Sequence, residues 1–384
     1  MVIAIWPLTA FCLAAFSLHI VSVFVTITRC RKREAYPPPP HAPAISLIRP
    51  VCGIDNYCEE TLRSSFELDY RRYELIFCVA SANDPVAFLV KRMIAAHPQV
   101  PAELLVGDER ISQNPKLNNL SKGWRAATGE WVVIADSNVL MPRDYIQRLL
   151  ASWRSDTGLV CSPPIGCLPS GFWAEVECAF LNVYQARWQY FADSIGLGFA
   201  QGKSMLWHRD DLNRAGGLRA LAVEVAEDAA STKVVRANGK RVRLVDGPFD
   251  QPLGYRAAMD VWRRQLRWAR LRRAAFKYYY APEILSGGIL PITASGIAAE
   301  AAGLPPLTCM IAFAVLWYGS EAILAYAAKW PLSICSPLAW MLRDLLLPAL
   351  WIAGWAGNDI LWRGNQMDVA DAGIVPAQSG ESTF

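Results

Sequence analysis

At 384 residues the chain can hold one large domain or two ordinary ones, and 53% hydrophobic against 19% charged residues is rich for a soluble protein and points to membrane attachment. The net charge of +4 is small and its basic residues crowd beside apolar runs, which argues against a nucleic-acid binder with a continuous basic stripe. Ten cysteines without a C-x-x-C pair and four scattered histidines argue against a zinc framework and fit buried free thiols in a reducing compartment.

Ile3 to Thr28 is almost continuously apolar, long enough to cross a hydrocarbon core of roughly 30 Å. Arg29, Arg31, Lys32 and Arg33 follow, so the positive-inside rule puts this end in the cytoplasm. A cleaved signal peptide carries its charge before the apolar run, and here the order is reversed. Residues 1–28 therefore read as a retained anchor. Tyr36 and Pro37 to Pro40 make a stiff, extended spacer.

Short apolar runs and helical segments then alternate. Ile45-Ser-Leu-Ile-Arg-Pro, Tyr73 to Ala80, Glu103-Leu-Leu-Val and Trp131-Val-Val-Ile-Ala read as strands. Asn56 to Phe66, Pro85 to Ala96 and Lys116 to Thr128 read as helices between them. The alternation predicts an α/β domain with a parallel sheet and helices on both faces. Ligands of such sheets gather outside the carboxyl ends of the strands.

Two acidic clusters fall at such ends. Asn83-Asp84-Pro85 is a helix N-cap followed by proline, and the Asp84 carboxylate could also accept hydrogen bonds from a nucleoside. At Asp136-Ser-Asn138 an apolar strand stops on an acid, which is rare unless the group is paired or holds a metal. Mg²⁺ or a similar hard cation takes oxygen ligands and shares them with substrate phosphates; Asn138 offers an oxygen without a charge. A third cluster, Ala226-Glu227-Asp228, lies in a helical-looking segment from Ala220 to Val235. Its structural reading is a solvated helix face or an N-terminal turn, and its chemical reading is a pair of acids suited to general-base work. Gly202-Lys-Ser is not a phosphate loop, because Leu197 stands where that motif needs its first glycine.

Asp260 to Arg273 has no Gly or Pro and reads as a helix. Arg264, Arg267 and Trp268 share one side of it, two forks for phosphate oxygens and one flat ring. The structural alternative is a basic collar where a helix meets a membrane. Further on, Ile284 to Gly303, Leu307 to Ala328 and Pro337 to Gly357 are apolar enough for two or three membrane segments, with Arg343 and Asp344 as an internal pair. Asn365 to Phe384 has little to bury and is expected to be a mobile tail.

Asp84, Asp136, Asp228 and Arg264-Gln-Leu-Arg-Trp268 together resemble the D, D, D, (Q/R)xxRW order of inverting processive-type glycosyltransferases. Arg49-Pro-Val-Cys-Gly-Ile-Asp55, Phe66-Glu-Leu-Asp-Tyr70, Asn114-Pro-Lys-Leu-Asn-Asn-Leu120, Ala226-Glu-Asp228, Arg263-Arg-Gln-Leu-Arg-Trp268 and Trp362-Arg-Gly364 narrow the resemblance to the ceramide glucosyltransferase family, glycosyltransferase family 21. The resemblance implies a Rossmann-like GT-A domain at 29–283 between the anchor and C-terminal membrane helices at 284–364. It implies transfer of glucose or galactose, with inversion, from a UDP-sugar to a hydroxyl of ceramide or diacylglycerol, with further sugars sometimes added. Asp84 would contact the nucleotide, Asp136 with Asn138 would hold a divalent metal (Mg²⁺ or Mn²⁺) and the diphosphate, and Asp228 would be the base. Arg264, Arg267 and Trp268 would clasp the leaving diphosphate. A multi-pass protein of a bacterial inner membrane is expected, its catalytic domain cytoplasmic. Two other classes fit parts of the pattern: a polysaccharide synthase, which needs more spanning helices, and a non-catalytic lipid-binding scaffold, which would not need intact acids at all three clusters.

Overall fold

The computed structural model describes residues 2–31, 36, 41–362 and 364–369, with the side chains of residues 2–4 excepted. Lys32, Arg33, the Pro37–Pro40 spacer and the tail beyond Val369 lie outside the described residues. Eleven strands are described. In chain order they are β1 (Ile45–Pro50), β2 (Tyr73–Val79), β3 (Ala102–Val106), β4 (Trp131–Ala135), β5 (Thr157–Cys161) and β6 (Ile165–Ser170). There follow β7 (Ser204–His208), β8 (Arg241–Leu244), β9 (Asp250–Tyr255), β10 (Asp359–Trp362) and β11 (Asn365–Asp368). The chain packs into two compact units, each assembled from separated segments. This grouping follows packing, whereas the expected ranges 29–283 and 284–364 rest on where a membrane is expected to lie.

One unit comprises Glu34–Pro163, Leu197–Val245 and Asn358–Phe384. Its centre is a seven-stranded sheet in the order β3-β2-β1-β4-β7-β5-β8. β1 and β4 are buried along almost their whole length, β4 as an unbroken apolar run and β1 with Ser46 and Arg49 buried among its apolar residues. The helix Pro115–Ala126 lies close to the sheet because Gly123 has no side chain; a Cβ there would stand 2.6 Å from Cys78 Sγ and 2.7 Å from Ile48 Cγ2.

The expectation of an all-parallel sheet needs one correction. β1, β2, β3 and β4 are parallel, but β7 runs antiparallel between β4 and β5. The chain leaves this unit after Pro163 and returns at Leu197, so β7 enters from the carboxyl end of β4 and pairs Ser204 with Ala135. A second correction concerns the bounds of Ala220 to Val235. It is two helices, Gly217–Leu221 and Glu227–Ala237, and Asp228 sits in the N-terminal turn of the second. Asn365–Asp368, assigned to the tail from sequence, pairs with β10 as a hairpin strand.

The other unit comprises Met1–Arg33, Pro164–Gly196 and Asp246–Gly357. It contains the N-terminal helix Val2–Arg31, a β6–β9 parallel ribbon and the helix Ala258–Ala275, somewhat longer than its motif suggested. Phe172–Ala179 continues through a π-helical turn, Phe180–Ala186, into Arg187–Ser194. Among the described residues three helices are long and apolar enough to cross a membrane: Ile5–Arg31, Pro306–Ala328 and Ser336–Trp355. The marginal, broken span expected over Ile284 to Gly303 falls on a pair of segments, Lys277–Ser286 and Ile289–Ala301, bent by 52° at their junction, the geometry of a broken span or a re-entrant loop. Arg343 and Asp344 do pair, at 2.8 Å, and Glu321 joins them at 3.0 Å from the same guanidinium.

Candidate functional site

The site grows from the end of β4. Directly beneath it lies Arg49 of β1, wholly buried, whose Nη2 donates to the carbonyls of Asp136, Ser137 and Val139 at 2.8, 3.0 and 3.0 Å. Its Nη1 donates to the Thr61 carbonyl at 2.6 Å. Burial lowers the Arg49 pKa to about 10, with partial relief from Tyr145, Cys58 and Asp136, so the guanidinium stays charged and fixes the loop's backbone.

Beside this backbone the side chains of Asp136, Asn138 and Glu227 meet two lysines, with Asp228 next to Glu227. Lys116 Nζ lies 2.6 Å from Asp136 Oδ1 and 2.6 Å from Glu227 Oε1, and donates to the Gly202 carbonyl at 2.7 Å. Lys203 Nζ lies 2.8 Å from Asp136 Oδ2 and 3.1 Å from Asn138 Oδ1. The antiparallel β7 makes the second pair possible. It brings Lys203 alongside Asp136, whose N–H donates to the Lys203 carbonyl at 3.0 Å. Asn114 caps the helix Pro115–Ala126 through Oδ1 and turns its Nδ2 onto Glu227 Oε2 at 2.8 Å. Gly202 keeps the centre open, since a Cβ there would stand 2.7 Å from Glu227 Oε1.

The four acidic and amide groups are not equivalent. Burial pushes the Asp136 carboxyl up, but Lys116 and Lys203 outweigh it and hold the group well below the usual carboxylate range. Lys116 is disfavoured by burial yet held above its ordinary value by Asp136 and Glu227. Asp228 stands apart from the lysine pairs. Burial, then the neighbouring Glu227 charge, raise it to about 6, while Lys116 and the N–H groups of Ala229 (2.8 Å) and Gly202 (3.2 Å) hold it back. A carboxylate poised there accepts a proton at neutral pH far better than one held low.

Asp84 behaves as the cap its sequence describes. Its Oδ1 accepts from Val86 N at 2.9 Å and from Gly53 N at 3.0 Å, tying the loop after β1 to the helix Pro85–Ala96. In the other unit, Arg264 is braced. It pairs with the buried Glu177, donates from Nη2 to Gln251 Oε1 at 3.3 Å, and stacks 4.7 Å over the Trp268 ring. Arg256 Nε lies 3.2 Å from the same Glu177. Trp268 packs against the buried Cys178, Leu181 and Leu253. Arg267 is half-buried on the same helix.

Sequence reasoning missed Lys116, Lys203 and Arg49 as parts of this cluster. One signal was present. A lysine in the first turn after a cap faces the positive end of the helix dipole, which is unfavourable unless acids compensate it. Among the described residues no group of three or more His, Cys, Asp or Glu forms a metal centre. Asp136 and Asn138 nonetheless aim two oxygens at one point, held by the Lys203 ammonium, and a cation that also takes phosphate oxygens fits such a donor pair.

The family model described as Glycosyl transferase family 21 matches residues 14–375. Two Caenorhabditis elegans proteins, Ceramide glucosyltransferase 3 and Ceramide glucosyltransferase 1, are 25% and 24% identical to it. Those matches cover 95% and 94% of this chain and 80% and 78% of the relatives. Among solved structures, the mannosyltransferase PcManGT from Pyrobaculum calidifontis, in complex with GDP-Man and Mn²⁺, superposes with a TM-score of 0.51 at 21% identity, covering 91% of this chain and 98% of its own. That likeness shows the GT-A fold. The chain is a hexosyltransferase, and it belongs to glycosyltransferase family 21.

Proposed function

We propose that the chain moves glucose or galactose from a UDP-sugar to a hydroxyl of ceramide or diacylglycerol, with inversion, from the cytoplasmic side of a bacterial inner membrane that it crosses more than once. The acceptor oxygen attacks the anomeric carbon while the bond to UDP breaks and its electron pair leaves with the diphosphate. Asp228 takes the hydroxyl proton. The observation that carries this reading is the contrast between two neighbouring acids. Glu227 is clasped by Lys116 and Asn114, whereas Asp228 accepts only backbone N–H groups among its described contacts and has a pKa raised to about 6.

Asp136 and Asn138 would hold a divalent cation together with the donor phosphates, which supplies Lewis-acid stabilisation of the leaving UDP when bound. Lys116 and Lys203 add fixed positive charge beside the same carboxylate. Asp84 is assigned the nucleotide. Arg264, Arg267 and Trp268 are assigned the leaving diphosphate. The test is incubation of washed membranes with labelled UDP-glucose or UDP-galactose against ceramide and diacylglycerol, with products read by mass spectrometry. Single-sugar or short oligosaccharide lipids are expected; a water-soluble polymer or no product would overturn the proposal.

A further inference from the structure

Glu177 carries a buried charge that the proposed mechanism does not use. It is wholly buried on the helix Phe172–Ala179, and both its oxygens face guanidinium groups. Arg264 Nη1 donates to Oε1, and Arg256 Nε lies 3.2 Å from Oε2. One carboxylate against two guanidiniums leaves these ion pairs with a surplus positive charge.

The surroundings of Glu177 form a stiff mount, all within one of the two units. In the π-helical turn that follows the helix, Asn182 Oδ1 accepts from Gly166 N at 2.8 Å and Asn182 Nδ2 donates to the Gly166 carbonyl at 3.0 Å. Gly166 pairs across the β6–β9 ribbon with Gln251, whose Oε1 accepts from Arg264 Nη2. The two acceptors on Arg264 are therefore fixed to each other through Asn182 and Gly166. Gly166 also lets helix and ribbon close, since a Cβ there would stand 2.9 Å from Cys178 Sγ and 3.0 Å from Leu253 Cδ1. Cys178 and Leu253 belong to the cluster on which Trp268 packs, and the Trp268 ring lies against the face of the same guanidinium.

Holding a guanidinium by two edges and one face fixes its plane, so a long side chain gives up its rotamer freedom before a ligand arrives. Two of the five N–H groups of Arg264 are used in these bonds, and 14% of its side-chain surface stays open. A tie made for stability alone gains little from a buried acid, because well-packed apolar residues serve as well or better. We propose that Glu177 is a positioning residue for sugar transfer: with Gln251 it presets the Arg264 guanidinium in the orientation that receives the diphosphate of the leaving UDP. This rests on the reading that Arg264 binds that diphosphate.

The test is a double-variant cycle on the full chain in detergent, with UDP affinity measured by calorimetry beside kcat/KM for the UDP-sugar. Arg264→Met should weaken UDP binding about a hundredfold and Glu177→Gln about tenfold, as loss of hydrogen bonds to charged groups predicts. Both should lower kcat/KM in parallel and leave the KM for the lipid acceptor within about twofold. Because Glu177 acts through Arg264, adding Glu177→Gln to Arg264→Met should cost less than about twofold more, whereas a merely structural role adds its loss in full. Gln251→Met removes the acceptor on the other edge. It should weaken UDP binding about threefold, again without effect in the Arg264→Met background, and it decides the matter if Glu177→Gln does not fold. Wild-type UDP affinity in the Glu177 variant, or losses that add to that of Arg264→Met, overturns the inference and leaves the assignment of Arg264 standing. Unchanged UDP affinity and turnover in Arg264→Met defeats that assignment, and the inference falls with it.

Discussion

Two of the buried clusters of opposite charge among the described residues are built differently. In one, Arg343 spreads a planar fork over Glu321 at 3.0 and 3.2 Å and over Asp344 at 2.8 Å. Asp344 Oδ2 is further satisfied by Gly288 N at 2.8 Å and the Tyr318 hydroxyl at 3.2 Å. The cluster is closed, with side-chain exposures of 0–1%. In the other, two ammonium groups meet Asp136, whose side chain is 21% exposed, and Lys203 is 16% exposed. An ammonium is a point charge on a flexible stem, whereas a guanidinium is a fixed fork. The first cluster is a fastener between helices. The second can trade partners when a diphosphate and a cation arrive.

The largest effect expected separates the reactive acid from its paired neighbours. Asp228→Asn should lower transfer by roughly 10²- to 10⁴-fold, the usual range for a general base, while UDP-sugar binding by calorimetry stays within about twofold. Near-normal turnover would move the role to Glu227. The fastener should respond in stability. Arg343→Met leaves Glu321 and Asp344 buried without a counter-charge and should cost about 3–5 kcal/mol in detergent unfolding. Replacing Arg343, Glu321 and Asp344 together with apolar residues should recover most of that loss. A triple variant that folds but transfers no sugar would show that the cluster does more than fasten.

A smaller effect probes the exchangeable cluster. Lys203→Met removes the ammonium facing Asp136 and Asn138, so Mn²⁺ binding without donor, followed by electron paramagnetic resonance, should tighten about fivefold. Unchanged or weaker Mn²⁺ binding would mean that these oxygens do not take a cation. The smallest effect is in pH. The base must be unprotonated, so kcat/KM should fall as pH drops, with an apparent pKa near 6 and about a twofold loss at pH 6 relative to its plateau. An acid limb below pH 5 would show Asp228 to be an ordinary exposed carboxylate in the working enzyme.

Much of this was legible in the chain. The β1 to β4 alternation, the acid at the end of β4 and the cap at Asp84 are local patterns, and local patterns survive folding. The Arg343–Asp344 pair was readable because charges in an apolar span must find each other. What escaped depends on direction and distance. Whether β7 runs up or down cannot be read from its five residues, yet that choice puts Lys203 rather than His208 beside Asp136. The break before Glu227 was hidden because its turn carries alanine and valine, residues that also suit a helix.

Gly202, Lys203 and Ser204 answer three separate demands in three consecutive places: room for Glu227, a charge for Asp136, and an acceptor for the Tyr145 hydroxyl at 2.9 Å. Strand side chains alternate faces, so a one-residue slip here would misplace all three together. Length, more than composition, is therefore the constrained property of this segment. A conservative exchange within it leaves two demands met, whereas inserting or deleting one residue just before β7 leaves none.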